Sequence, residues 1–135
     1  MKFLIVEDDF VCRRVLQKLV SRYGDCDVAI NGKEAIEAYE LANKENEPYD
    51  TILLDICMPK IDGLKVLKRI RQEEKKSKNG DQTAVNIIMT TAKDDSKHIM
   101  DAYYSGGASG YLTKPISSSH LEAELKKLNI LPGNN

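Results

Sequence analysis

Short aliphatic runs alternate with longer stretches of helical period along the chain, and this alternation leaves few folds open. Five runs read as strands: Phe3-Leu4-Ile5-Val6, Cys26-Asp27-Val28-Ala29-Ile30, Thr51-Ile52-Leu53-Leu54, Asn86-Ile87-Ile88-Met89-Thr90 and Gly110-Tyr111-Leu112-Thr113. The first, third and fourth are nearly continuous in aliphatic residues, the pattern of central parallel strands covered on both faces. The second alternates more, as an edge strand does.

Helical patterns fill the gaps. Val11, Val15, Leu16, Leu19 and Val20 recur at helical spacing and predict a helix over 10–22, ended near Gly24. Asn31 and Glu34 form a capping box ahead of Ala35, Ile36 and Tyr39. Asp62 is placed to cap a third helix carrying Leu64, Val66, Leu67 and Ile70. A weaker fourth helix spans 96–104, and Ser119 with Glu122 gives another capping-box pattern before Leu125 and Leu128. The charged stretch from Glu73 to Asp81 reads as a frayed helix end and an exposed loop.

Strict strand–helix alternation implies a parallel sheet with right-handed crossovers. Five such units fit an α/β, doubly wound fold, a five-stranded parallel sheet in the flavodoxin-like order 2-1-3-4-5. The 135 residues suit one domain, with no room for a separate output module. A net charge of -1 argues against direct nucleic-acid binding. No apolar run approaches the ~18 residues that a membrane span needs, and Met1 to Val6 is too short for a signal peptide. Cys12, Cys26 and Cys57 are odd in number and lack C-x-x-C spacing. Neither a disulfide framework nor a zinc site is indicated, and a reducing cytoplasm is expected.

Ligands of such folds bind beyond the carboxyl ends of the strands, and the chemistry of this chain gathers there. Strand one ends in Glu7-Asp8-Asp9, strand three in Asp55, strand four in Thr90-Thr91-Ala92 and strand five in Lys114-Pro115. Clustered carboxylates repel, so one would keep its proton unless a cation joined them. Hard oxygen ligands with open positions for water and phosphate suit Mg²⁺, with Mn²⁺ as a substitute. The acidic first loop also lacks the Gly-rich turn by which flavodoxins and dinucleotide folds bind phosphate directly. A carboxylate can attack phosphorus if the charge of the transferring group is spread over a metal, an ammonium and a hydroxyl. Asp55, on the central strand between the acids and the Thr91–Lys114 side, is the candidate attacker. Each residue alone has a plainer reading: Asp55 as a loop acid, Asp9 as a first-turn or N-cap acid, Thr90 as a strand hydroxyl.

Four stretches together are similar to the receiver domain of bacterial two-component response regulators. They are Leu4-Ile5-Val6-Glu7-Asp8-Asp9, Leu54-Asp55-Ile56-Cys57-Met58-Pro59-Lys60-Ile61-Asp62-Gly63, Met89-Thr90-Thr91-Ala92 and Gly110-Tyr111-Leu112-Thr113-Lys114-Pro115. The resemblance implies a (βα)5 receiver over residues 1–130, with 131–135 as a disordered tail. It implies Asp55 as phosphoacceptor, Asp8 as a direct metal ligand, Glu7 acting through water, and the backbone carbonyl of Cys57 as a further ligand. Thr91 resembles the switch hydroxyl, Lys114 the lysine paired with the phosphoryl group, and Tyr111 the aromatic whose rotamer follows Thr91. The Lys114–Pro115 bond is expected to be cis.

The implied partners are a sensor histidine kinase or histidine phosphotransfer protein, and a protein target at the helix 4–strand 5–helix 5 face. That face is expected to include His98, Tyr103, Tyr104 and residues near Ser117, with Tyr103 or Tyr104 packing inward as the alternative. The chain would be a monomer or a phosphorylation-dependent dimer. Cys57 and Lys93 flank the acyl phosphate and would tune its lifetime; a thiol orients water poorly, so a long-lived phosphoryl group is expected. Cys57 also stands where an aspartyl-phosphate phosphohydrolase needs a second acid, which speaks against turnover as an enzyme. The start at Met1 favours a stand-alone receiver over a segment of a hybrid kinase or DNA-binding regulator.

Overall fold

The computed structural model describes residues 1–56, 62–76, 84–92 and 97–132. Ten elements alternate: β1 (Lys2–Val6), α1 (Phe10–Val20), β2 (Asp25–Ala29), α2 (Gly32–Lys44), β3 (Thr51–Asp55), α3 (Gly63–Lys76), β4 (Asn86–Thr91), α4 (Lys97–Ser105), β5 (Gly110–Thr113) and α5 (Ser118–Lys127). The strands form one parallel sheet in the order β2-β1-β3-β4-β5. This is the flavodoxin-like order that the alternation predicts, with β2 at the edge.

Adjacent residues of a strand face opposite sides, and β1 divides accordingly. Phe3 and Ile5 join Leu53, Ile88 and Leu112 under α1 and α5, which contribute Leu16, Val20, Leu121 and Leu125. Leu4 and Val6 join Ile52, Leu54, Ile87 and Met89 under α2, α3 and α4. A fully buried side chain of this size is worth about 1.5–3 kcal/mol, so the two layers hold the strand ends in fixed register. Leu131, within the expected tail, packs against the first layer and donates its N–H to the Leu125 carbonyl at 3.2 Å.

The caps are partly as expected. Asp9 accepts from the Cys12 N–H at 2.8 Å, Asn31 from Glu34 at 2.9 Å, and Asp62 from Lys65 at 3.0 Å. Glu34 reaches back to the Ile30 N–H at 3.1 Å. The cap of α5 is Ser117, not Ser119: its hydroxyl accepts from His120 at 3.2 Å. Ser117 has the extended backbone that a cap requires, so the helix begins before the Ser119–Glu122 pattern; Glu122 instead pairs with Lys126 at 3.0 Å. In α1 the apolar repeat is only half buried. Leu16 and Val20 are in the core, while Val11 is 66% and Val15 45% exposed.

Candidate functional site

Parallel register builds the site. Val6 pairs with Leu54, so Glu7 emerges beside Asp55; Asp55 pairs with Thr90, and Thr91 with Thr113, one residue before Lys114. Gly63 allows α3 to start against the same strand end: a Cβ there would lie 2.5 Å from the Asp55 carbonyl oxygen. The Lys114–Pro115 bond is cis, as expected.

Glu7, Asp55 and Thr91 are buried, and Asp8 is exposed at the rim. The Lys114 ammonium donates to Glu7 Oε1 at 2.7 Å and lies 3.3 Å from Asp55 Oδ1. Glu7, Asp8 and Asp55 each offer a carboxylate oxygen, and these oxygens lie within 4.8 Å of one another. Glu7 Oε2 is buried without a hydrogen-bond partner among the described residues.

Burial, then the hydrogen bond and negative charge of Glu7, push the Asp55 carboxyl up to about 7, although Lys114 opposes the shift. Burial pulls the Lys114 ammonium down, but the Glu7 hydrogen bond and the charges of Asp55 and Glu7 outweigh it and raise its pKa. One ammonium therefore faces more negative charge than it neutralises. An all-oxygen set with a stranded buried acceptor fits a hard divalent cation.

Two supports of the site are not apparent in the sequence. Arg13 donates to the carbonyls of Glu7 at 3.0 Å and Asp8 at 3.4 Å, holding the acidic turn by its backbone. Its position one helical turn after Asp9 is the only signal, and many surface arginines share it. Of the two tyrosines that could face outward or inward, Tyr103 is buried and donates its phenol O–H to the Ile56 carbonyl at 3.3 Å. Tyr104 and Tyr111 are exposed and meet edge to face, with centroids 5.8 Å apart. Cys57 and Lys93 lie outside the described residues, as does the His98 side chain.

A sheet of this order with acids, hydroxyl and ammonium on one rim defines a receiver. Residues 3–126 match the response regulator receiver domain family, and the chain belongs to that family. It is 36% identical over 128 residues to "Two-component response regulator 24" of Arabidopsis thaliana, covering 93% of this chain and 82% of that protein. It is 35% identical to "Probable transcriptional regulator ycf29" of Porphyra purpurea, covering 93% of this chain and 54% of that protein. "Hybrid signal transduction histidine kinase L" of Dictyostelium discoideum is 32% identical, with 93% of this chain matching 7% of it. The chain thus spans about half of one of these relatives and a small part of another.

Among solved structures, the Francisella response regulator 1452 receiver domain superposes with a TM-score of 0.70 at 28% identity, covering 96% of this chain and 93% of that one. The Vibrio cholerae chemotaxis protein CheY4 superposes with a TM-score of 0.74 at 24% identity, covering 94% and 97%, and speaks to the fold alone. Among the described residues, no helix is long and apolar enough to cross a membrane.

Proposed function

We propose that the chain accepts a phosphoryl group on Asp55 from a histidine kinase or histidine phosphotransfer protein and passes the signal on through its α4–β5–α5 face. The observation that carries this reading is the meeting of Glu7, Asp8 and Asp55 within 4.8 Å beside the Lys114 ammonium. An Asp55 oxygen attacks phosphorus, the bond from phosphorus to the donor breaks, and the donor leaves with that electron pair. Lys114 is poised to leave Glu7 and pair with the new phosphoryl oxygens; Thr91 would donate its hydroxyl to another. Glu7, Asp8 and Asp55 would hold Mg²⁺ or Mn²⁺, with the Cys57 carbonyl. The bound ion supplies positive charge to the transferring group.

The same residues suit a switch rather than an enzyme with turnover. Tyr111 is exposed and free of the core, so a Thr91 drawn toward the phosphoryl group could be followed by the tyrosine ring. Incubation with a small acyl phosphate and Mg²⁺ should add one phosphate by intact mass. Asp55→Asn should add none, and removing the metal should stop the reaction. No mass gain in the wild type would overturn the proposal. The thiol of Cys57 would orient an attacking water poorly and so favour a phosphoryl lifetime well beyond seconds, which the decay of that mass peak measures.

A second reading keeps the chemistry but makes the chain one part of a larger regulator or hybrid kinase. The partial coverage of two relatives favours it. In either case the domain would work in the cytoplasm, as a monomer or as a dimer formed on phosphorylation.

A further inference from the structure

We infer that Tyr103 is a positioning residue that ties α4 to the backbone carbonyl of the residue after the phosphoacceptor, a link separate from Thr91 and Tyr111. This rests on the reading of Asp55 given above. Ile56 follows Asp55 directly. Its N–H donates to the Thr90 carbonyl at 3.1 Å, and its own carbonyl accepts the Tyr103 phenol at 3.3 Å in a buried setting. One residue, Ile56, therefore touches β4 through its N–H and α4 through its carbonyl. The contact needs a tyrosine at this place: a buried ring fills the layer between helix and sheet, and its hydroxyl must find a partner there.

The chain just past α4, four residues after Tyr103, is held independently. Arg71 on α3 donates through Nε to the Gly107 carbonyl at 2.9 Å, two residues beyond the end of α4. Gly107 has a φ of +107°, and a Cβ there would lie 3.0 Å from Arg71 Cγ, so the joint is shaped for glycine. Both ties sit at the carboxyl end of α4, so the helix can tilt about that end but not slide. When Asp55 gains a phosphoryl group, any turn of the Ile56 peptide loads or releases the tether, and α4 pivots about Gly107. Losing one buried hydrogen bond is enough to change a two-state population about fivefold.

Amide hydrogen exchange over 97–105 tests this, measured with and without acyl phosphate and Mg²⁺ while intact mass follows phosphorylation. In the wild type, phosphorylation should change exchange across α4. Tyr103→Phe keeps the ring and removes the donor; it should accept phosphate to the same extent yet lose at least half of that change. Tyr111→Phe should retain most of it. A Tyr103→Phe response equal to that of the wild type at equal phosphorylation overturns the inference, as does a wild-type α4 that does not respond. Absence of phosphorylation in the wild type overturns the functional reading beneath it.

Discussion

Two part-buried ionic clusters sit at opposite ends of the sheet, and they are built to opposite standards. Near the amino ends of β4 and β5, Arg71 donates to the carbonyls of Gly107 and Val85 at 2.9 and 2.8 Å, and to Glu74 Oε1 at 2.8 Å. The other oxygen of Glu74 accepts the Val85 N–H at 2.7 Å. Charge and hydrogen bonds close on each other. At the carboxyl ends, one ammonium is shared between two buried carboxylates, Glu7 Oε2 has no partner among the described residues, and Asp55 is pushed up to about 7. Low dielectric makes a saturated network rigid and an unsaturated one costly. The first cluster joins elements; the second keeps positive charge in demand.

The larger effect at these two clusters should follow from breaking the saturated one. Arg71→Met leaves Glu74 without its cation and two carbonyls without donors. It should cost roughly 3 kcal/mol of stability in urea unfolding. A cost below about 1 kcal/mol would mean that the joint contributes little and the contrast is false.

The unsaturated cluster should respond with the opposite sign. Asp55 has its folded pKa raised from 3.8 to about 7, so between those values the native state binds more protons than the unfolded chain. Stability of the metal-free protein then falls as pH rises through that window and levels off above it. Asp55→Asn removes the ionisable group. It should be more stable than the wild type by about 2 kcal/mol at neutral pH and equal to it near pH 4. Thermal unfolding in chelator across that range checks both sign and window; an Asn variant less stable at neutral pH would sink the account.

A divalent cation should relieve the same strain. Mg²⁺ at ten times its dissociation constant should stabilise the wild type by about 1.4 kcal/mol. Glu7→Gln should reduce the gain, and Arg71→Met should keep it, since its cluster is at the other end. A gain unchanged in Glu7→Gln would place the ion elsewhere.

The rim was largely legible in the sequence because each candidate residue ends or closely follows a strand, and parallel register carries strand ends to one edge. Glu7, Asp55 and Lys114 needed only the strand order to be brought together. The supports were harder to see because they depend on directions that sequence spacing does not encode. Glu74 lies in a charged stretch that reads as solvated, yet it closes on Arg71 across a helical turn. Tyr103 and Tyr104 are neighbours in sequence, and only the helix phase against the sheet decides which is buried. Ser117 caps α5 because its backbone is extended there, while the Ser119–Glu122 pattern looks better on paper.

The smallest effect concerns α1, whose amino half rises beside the rim. Its apolar repeat suggests a core face, but Phe10 is 64% exposed and Val11 66%, and the Arg13 guanidinium lies 5.5 Å from the Phe10 ring centre. A side chain already in water has little transfer energy to lose. Phe10→Ser and Val11→Thr should each change unfolding stability by no more than about 0.5 kcal/mol. Leu16→Ala, one or two turns further along and in the core, should cost about 2–5 kcal/mol. If the two ends of α1 cost the same, the helix packs along its whole length, and the rim is less open than the burial pattern indicates.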